Sequence, residues 1–231
     1  IVFAIPSARS VIAIEDTSGA DLSIKVTGYQ WKWSYDYLDQ DKFFYSSIDK
    51  ASYAAAQKGS GIDPATVEHY LRNVDQAMVV PVNQKVRILL TSDDVIHAWW
   101  VPELYVKKDA NPGFINEMWF EATETGIFRG QCTELCGRGH GFMPIVIEAV
   151  SMEDYRIWIA ETKQAQADAL ANSDREWAQD ELMTHGEEVY GANCAACHMA
   201  DGKGTGPFPP LDGSAIVNGP AADHVKLVLG G

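Results

Sequence analysis

Basic residues are scarce in this chain. Eighteen Lys and Arg stand against 32 Asp and Glu, a net charge of -14 over 231 residues. The deficit runs throughout, -6 over residues 1–150 and -8 over residues 151–231. Both parts therefore repel nucleic acid and anionic phospholipid headgroups, and either could attract a cationic protein. Nothing supports nucleic-acid binding. A long apolar run is missing as well: Ile1-Val2-Phe3-Ala4-Ile5 meets Pro6 at once, well short of the roughly 20 apolar residues that cross a bilayer. We read residues 1–21 as the end of a removed transmembrane helix with its lead-in, Arg9 lying just outside; a first edge strand is the alternative. Cysteine is confined to four residues in two tight clusters, and no Met follows Met199. With 46% hydrophobic and 22% charged residues, the chain has the makings of a packed core rather than of a disordered polymer.

Strand signals dominate the first two-thirds. Leu22 to Thr27 alternates apolar and polar residues, and Tyr29, Trp31, Trp33, Tyr35 and Tyr37 then fall on every second position. Period two predicts one strand with all five aromatics on one face. Residues 38–77 break the pattern and read as an elaborated surface loop, with a short helix from Asp63-Pro64 to about Leu71. Further strands are expected at Met78–Val82, Lys85–Thr91, Val95–Val101, Ile115–Glu121, Gly126–Gln131 and Pro144–Val150. Short strands separated by turn residues point to an all-β sandwich or barrel over residues 22–150. From Ser151 the texture is helical: Ser151 can cap, Glu153 and Asp154 suit the first turn, and Tyr155, Trp158 and Ile159 form an apolar stripe. Asn172-Ser173-Asp174 reads as a stop and a new cap. The expected division is therefore a helix and linker over 151–173 and a second, helical unit over 174–231.

Two clusters carry chemistry. Cys132, Cys136, His140 and Met143 fall within one loop, a soft sulfur-and-nitrogen ligand set better suited to copper than to calcium, magnesium or manganese. So short a loop leaves a coordination position for a distant residue, and His97 is the candidate. Four readings are open: a structural zinc on Cys132, Cys136, His140 and His97; a disulfide; a mononuclear copper, which needs only one thiol; and two coppers bridged by both thiols. In the last, His97 and His140 are terminal ligands, and Met143 and a backbone carbonyl are axial. It accounts for every residue. The second cluster, Cys194-Ala195-Ala196-Cys197-His198, is the attachment signal for c-type haem, with two thiols for the vinyl groups and His198 as proximal ligand. A redox dithiol or half a zinc site is the alternative. Gly202–Leu211 reads as a loop along the haem edge. With no later Met, the distal ligand is expected to lie outside this chain, His224 being the alternative.

The sequence resembles subunit II of haem–copper cytochrome c oxidases, the bacterial type with a cytochrome c domain fused at its C-terminus. The resemblance rests on Val26-Thr27-Gly28-Tyr29-Gln30-Trp31-Lys32-Trp33-Ser34-Tyr35, on Asp93-Asp94-Val95-Ile96-His97-Ala98-Trp99, and on Gly130-Gln131-Cys132-Thr133-Glu134-Leu135-Cys136 with His140 and Met143-Pro144. It implies a cupredoxin Greek-key barrel followed by a helical linker and a partial all-α cytochrome c domain. It implies a dinuclear CuA centre on His97, Cys132, the carbonyl of Glu134, Cys136, His140 and Met143. It further implies electron entry at Trp31, a magnesium ion facing Glu134 at the subunit I interface, and haem c on Cys194, Cys197 and His198. The role implied is electron transfer, from cytochrome c haem through CuA to subunit I, where oxygen becomes water. Subunits I and III, and a soluble cytochrome c, are the expected partners. The expected place is the outer face of the bacterial inner membrane, anchored by N-terminal helices absent from this chain. The alternatives are a nitric oxide or nitrous oxide reductase, or a free periplasmic shuttle. Asp94 is the acidic residue expected to help dock a basic cytochrome.

Overall fold

In the computed structural model, which describes residues 2–173, 176–204 and 209–230, alternation becomes two facing sheets. Ten strands are assigned among the described residues: β1 (Leu22–Tyr29), β2 (Lys32–Tyr37), β3 (Lys42–Ser46), β4 (Met78–Pro81), β5 (Val86–Ser92), β6 (His97–Val101), β7 (Val106–Ala110), β8 (Asn116–Phe120), β9 (Gly126–Cys132) and β10 (Pro144–Val150). One sheet has the order β3-β2-β1-β5-β8, the other β4-β10-β9-β6-β7. The alternation of β5, buried at Val86, Ile88, Leu90 and Ser92 with Arg87, Leu89 and Thr91 between them, shows the cause. Apolar side chains on one face of each pleat meet those of the facing sheet. The shared core includes Ile24, Val26, Trp33, Tyr35, Tyr37, Ile88, Leu90, Trp99, Ile145 and Ile147, all fully buried.

The long aromatic strand is broken in two. The chain reverses at Gln30 and Trp31, and Tyr29 pairs across the hairpin with Lys32. Only Trp33, Tyr35 and Tyr37 of the five aromatics enter the core; Tyr29 packs edge-on against Tyr45, and Trp31 stands in the turn. Period two was satisfied equally by one strand or by a strand, a two-residue turn and a second strand. Sheet pairing decided between them.

The 38–77 segment is more ordered than a surface loop. It contributes edge strand β3, with Phe44 and Ser46 inward, and helix α2 (Lys50–Ala56), capped by Asp49. The helix expected from Asp63 shrinks to a single 3-10 turn, Pro64–Thr66. Asp63 caps it as foreseen, but His69 and Leu71 lie in the left-handed region, at φ 51° and 59°, and end any continuation. Strand β7 was also unforeseen: Val106-Lys107-Lys108-Asp109-Ala110 is a charged edge strand, and charge on an edge discourages pairing with other chains.

Ahead of β1 lies helix α1 (Ala4–Glu15), with no buried residue; among the described residues no helix is long and apolar enough to cross a membrane. After β10 comes helix α3 (Met152–Ser173). Ser151 accepts from the Asp154 N–H at 3.1 Å, and Tyr155 and Ile159 are buried while Trp158 packs on Tyr37, as the apolar stripe predicts. The chain divides into two units, Ile1–Ala169 and Leu170–Gly231. The second contains α4 (Gln179–Asn193), α5 (Ala195–His198) and α6 (Ala221–Gly230). The cap expected at Asp174 lies outside the described residues.

Candidate metal centre

Strand ends assemble the first cluster. His97 opens β6 and Cys132 closes β9, and the pairing of Trp99 with Cys132 brings these ends together. The loop after Cys132 turns back on itself, with the His140 N–H on the Gly137 carbonyl at 3.2 Å and the Phe142 N–H on that of Gly139 at 2.8 Å. Gly137 sits at φ 109°, a conformation only glycine takes cheaply. Met143 follows and leads directly into β10.

The donor atoms converge as two linked halves. Cys132 Sγ lies 3.8 Å from His97 Nδ1 and 3.4 Å from the Glu134 carbonyl oxygen. Cys136 Sγ lies 3.4 Å from His140 Nδ1 and 3.5 Å from Met143 Sδ. The two sulfurs are 3.8 Å apart, and both cysteines are free. Ligand atoms of His97, Cys132 and Cys136 all lie within 4.8 Å of one another. Around a tetrahedral ion with bonds of about 2.0–2.3 Å, neighbouring ligands are roughly 3.3–3.8 Å apart, which is the spacing seen here. The cradle thus fits a soft metal. A single four-coordinate zinc would leave the Met143 thioether and the Glu134 carbonyl, both turned to the sulfurs, without a purpose; two metals use all six donors.

Burial shapes the charges. Burial works against ionising Cys132, but the His97 imidazole, the Ala98 and Glu134 backbone and the Cys136 thiol together bring it down to about 7. Cys136, buried and facing that sulfur, is pushed up to about 12. The pair therefore holds one negative charge readily and a second only when a cation is there to share it. Burial also opposes a proton on His97, yet the Cys132 thiol and Asp94 outweigh it and raise its pKa.

Asp94 has a second place besides the exposed one expected of a docking residue. Its Oδ1 takes the Nε2–H of fully buried His97 at 2.9 Å, and its carboxylate also accepts from the N–H groups of Gln30 at 2.7 Å and Val95 at 2.6 Å. Burial raises the Asp94 pKa, but these bonds more than reverse it. A carboxylate behind a ligating imidazole fixes which nitrogen faces the metal. Asp94 is thus a support for His97, a role that its position three residues before the ligand, in the turn ahead of β6, could have suggested.

The hairpin turn that split the aromatic strand closes the site from the other side. Trp31 Nε1 donates to the Cys136 carbonyl at 3.1 Å, and Gln30 Nε2 donates to the same oxygen at 2.8 Å. The indole lies flat against Gly139, where a Cβ would stand 2.3 Å from its Cδ2. Gly28 makes similar room for His97, since a Cβ there would meet the imidazole Cδ2 at 2.8 Å. Trp33 sets its ring edge-on to His97 at 5.8 Å and its N–H on the Met143 carbonyl at 3.4 Å. Gln30, Gly28 and Gly139 were given no role at the site from the sequence. The only local signal was the glycines themselves, crowded beside ligands.

In the second unit, Cys194 is half-buried beside α5, which ends at His198; the Cys197 side chain lies outside the described residues. His198 Nδ1 is 3.0 Å from the Pro209 carbonyl. Donation there makes Nε2 the nitrogen with the lone pair, the tautomer an axial iron ligand needs. His224 lies in α6. Residues 205–208 of the predicted haem-edge loop lie outside the described residues.

A two-sheet β domain with soft donors gathered at its loop end defines a cupredoxin-like domain with a candidate metal site. Residues 22–150 match the family described as cytochrome C oxidase subunit II, periplasmic domain, and residues 183–228 match cytochrome c. The chain belongs to the cytochrome c oxidase subunit II family. The probable cytochrome c oxidase subunit 2 of Rickettsia prowazekii (strain Madrid E) is 45% identical over 160 residues, 69% of this chain and 48% of that protein. Its counterpart in Rickettsia bellii (strain RML369-C) is 41% identical over 167 residues, 72% of this chain and 59% of that protein. The chain thus spans about half the length of the curated relatives it matches. Among solved structures, the periplasmic domain of subunit II of cytochrome oxidase (CoxB) of Bradyrhizobium japonicum is similar at 42% identity and TM-score 0.55, over 65% of this chain and 99% of that one.

Proposed function

We propose that this chain is the electron-entry part of a terminal respiratory oxidase, carrying electrons from cytochrome c haem through a dinuclear CuA centre to subunit I. The observation that carries the reading is the pair of free thiols 3.8 Å apart, each with its own imidazole and its own weak donor. When bound there, a dinuclear copper centre would supply one-electron transfer with little change of geometry. His97, Cys132 and the Glu134 carbonyl would hold one copper; His140, Cys136 and Met143 the other.

The chain's own residues do the rest. Cys132 and Cys136 supply the negative charge that the cations need, and buried His97 and Met143 keep water from the centre. Asp94 holds the His97 tautomer. Trp31, half-buried at the surface turn, provides a bonded route inward, from its indole N–H through the Cys136 carbonyl to the Cys136 sulfur. Glu134 turns its carbonyl to Cys132 and leaves its side chain exposed, where the carboxylate could meet a magnesium ion at the subunit I interface. Cys194, Cys197 and His198 would hold haem c. We place the domain on the outer face of the bacterial inner membrane, with α1 as the last turns of an anchoring helix. Subunit III and a soluble cytochrome c are further partners on this reading.

Metal and haem analysis joined to spectroscopy tests it. The purified chain should bind about two coppers and one haem, with an EPR pattern of one electron shared by two coppers. One zinc, or thiols joined natively to each other, would overturn the reading.

A further inference from the structure

The lead-in between α1 and β1 is fastened more firmly than a connection requires. Trp119 of β8 donates its indole N–H to the Ala13 carbonyl at 3.4 Å. Lys108 of β7 pairs with Glu15 at 3.3 Å. Lys85, just before β5, donates Nζ to the carbonyls of Asp16 and Ser18 at 2.8 and 2.7 Å and stands 4.7 Å over the Trp119 ring. Its own backbone exchanges hydrogen bonds with Asp21, to the carboxylate and from the N–H, both at 2.9 Å. Glu117 Oε2 accepts from Thr17 Oγ1 at 2.8 Å and from Arg87 Nε and Nη2 at 3.0 and 2.8 Å.

Side chains from β5 and β8 of one sheet and from β7, the edge strand of the other, together with Lys85 beside β5, thus grip the chain from Ala13 to Asp21. Helix α1 itself gives the domain no buried residue; Ile5, Val11, Ile12 and Ile14 are all more than half exposed. Its direction therefore depends on the grip at its C-terminal end. An exposed ion pair alone does little. A lysine shared by two carbonyls and an indole, next to a forked Arg–carboxylate contact that also receives a hydroxyl, restricts geometry far more.

We propose that Lys85, Glu117 and Arg87 are positioning residues that lock α1 to the metal-bearing β domain, so that helix and domain move as one body. The inference rests on the reading of α1 as the end of a membrane anchor. The lock then fixes how far the copper ligands stand from the membrane surface and from the acceptor in subunit I.

The test is a distance distribution in the copper-loaded chain. Genetically encoded spin labels at exposed Ser7 and Thr125 should give one narrow distance in the parent protein. Lys85→Met combined with Glu117→Gln should at least double its width, with Lys85→Arg retaining most of the narrowness. The copper EPR spectrum and melting profile of the β domain should change little. Should the double variant fold poorly, Thr17→Val and Lys85→Met alone provide the same reading. An unchanged width in the variants, or a broad distribution already in the parent, overturns the lock. Binding of the chain to lipid vesicles is scored separately: a narrow distance without vesicle binding sinks the anchor reading and leaves the lock standing.

Discussion

Replacing Asp94 by Ala isolates the support of a buried ligand from the ligand itself. The carboxylate receives His97 Nε2–H at 2.9 Å and the N–H groups of Gln30 and Val95, so its loss frees the imidazole to change tautomer or tilt. Removing a partner behind a ligating histidine typically weakens metal binding about 10–100-fold, or about 1.4–2.8 kcal/mol. The Asp94 side chain is 31% exposed, so water can enter the vacated space and rebond both backbone N–H groups. We therefore expect the lower end, about tenfold. Asp94→Asn keeps an acceptor oxygen in place and should fall between Ala and the parent. The assay is competition for copper against a chelator of known affinity, with EPR hyperfine splitting as the second reading. Equal copper affinity in Asp94→Ala and the parent would refute the argument. If only the salt dependence of electron entry changed, Asp94 would be a docking residue after all.

Other expectations follow from the same geometry. Gly139→Ala places a methyl 2.3 Å from the Trp31 ring, which must move by more than an ångström and lose its bond to Cys136. Copper content should hold while electron entry from reduced cytochrome c slows roughly tenfold or more; unchanged rapid-mixing rates would rule out Trp31 as the entry point. Cys132→Ser and Cys136→Ser should each abolish the shared-electron EPR pattern, and its survival in either would dismiss the bridging role. The third concerns alkali. Burial pushes the Tyr155 phenol up to about 12, and its hydroxyl has no hydrogen-bond partner among the described residues. Above pH 10 the unfolded chain releases that proton while the folded chain keeps it, so stability falls as pH rises from 10 towards 12. A two-unit shift sets an upper bound of about 2–3 kcal/mol. Tyr155→Phe should therefore unfold at higher pH than the parent in a pH-dependent melt; an identical or steeper alkaline loss would count against this cause.

Short-range spacing made part of the molecule legible from its residues alone. Four soft donors within Cys132–Met143 can hardly avoid meeting, because the loop is too short to separate them. The Cys194–His198 signal is equally local, and the strands declared themselves by a period of two. The same local code could not see the turn at Gln30 and Trp31, since aromatic alternation continues through a two-residue reversal without a fault. It missed β7, whose lysines and aspartate belong to a sheet edge, and it did not show that exposed Asp94 also bonds His97.

Tertiary structure decided what depends on distant chain segments. The register of β6 with β9 places His97 beside a sulfur 35 residues away, and the β1–β2 hairpin carries Trp31 onto a carbonyl 105 residues away. Glycines 28 and 139 gain their meaning only when an imidazole or an indole is laid against them. Ligand type is a property of residues, which the sequence states directly. Ligand orientation is a property of sheet register and close approach, which no local pattern encodes.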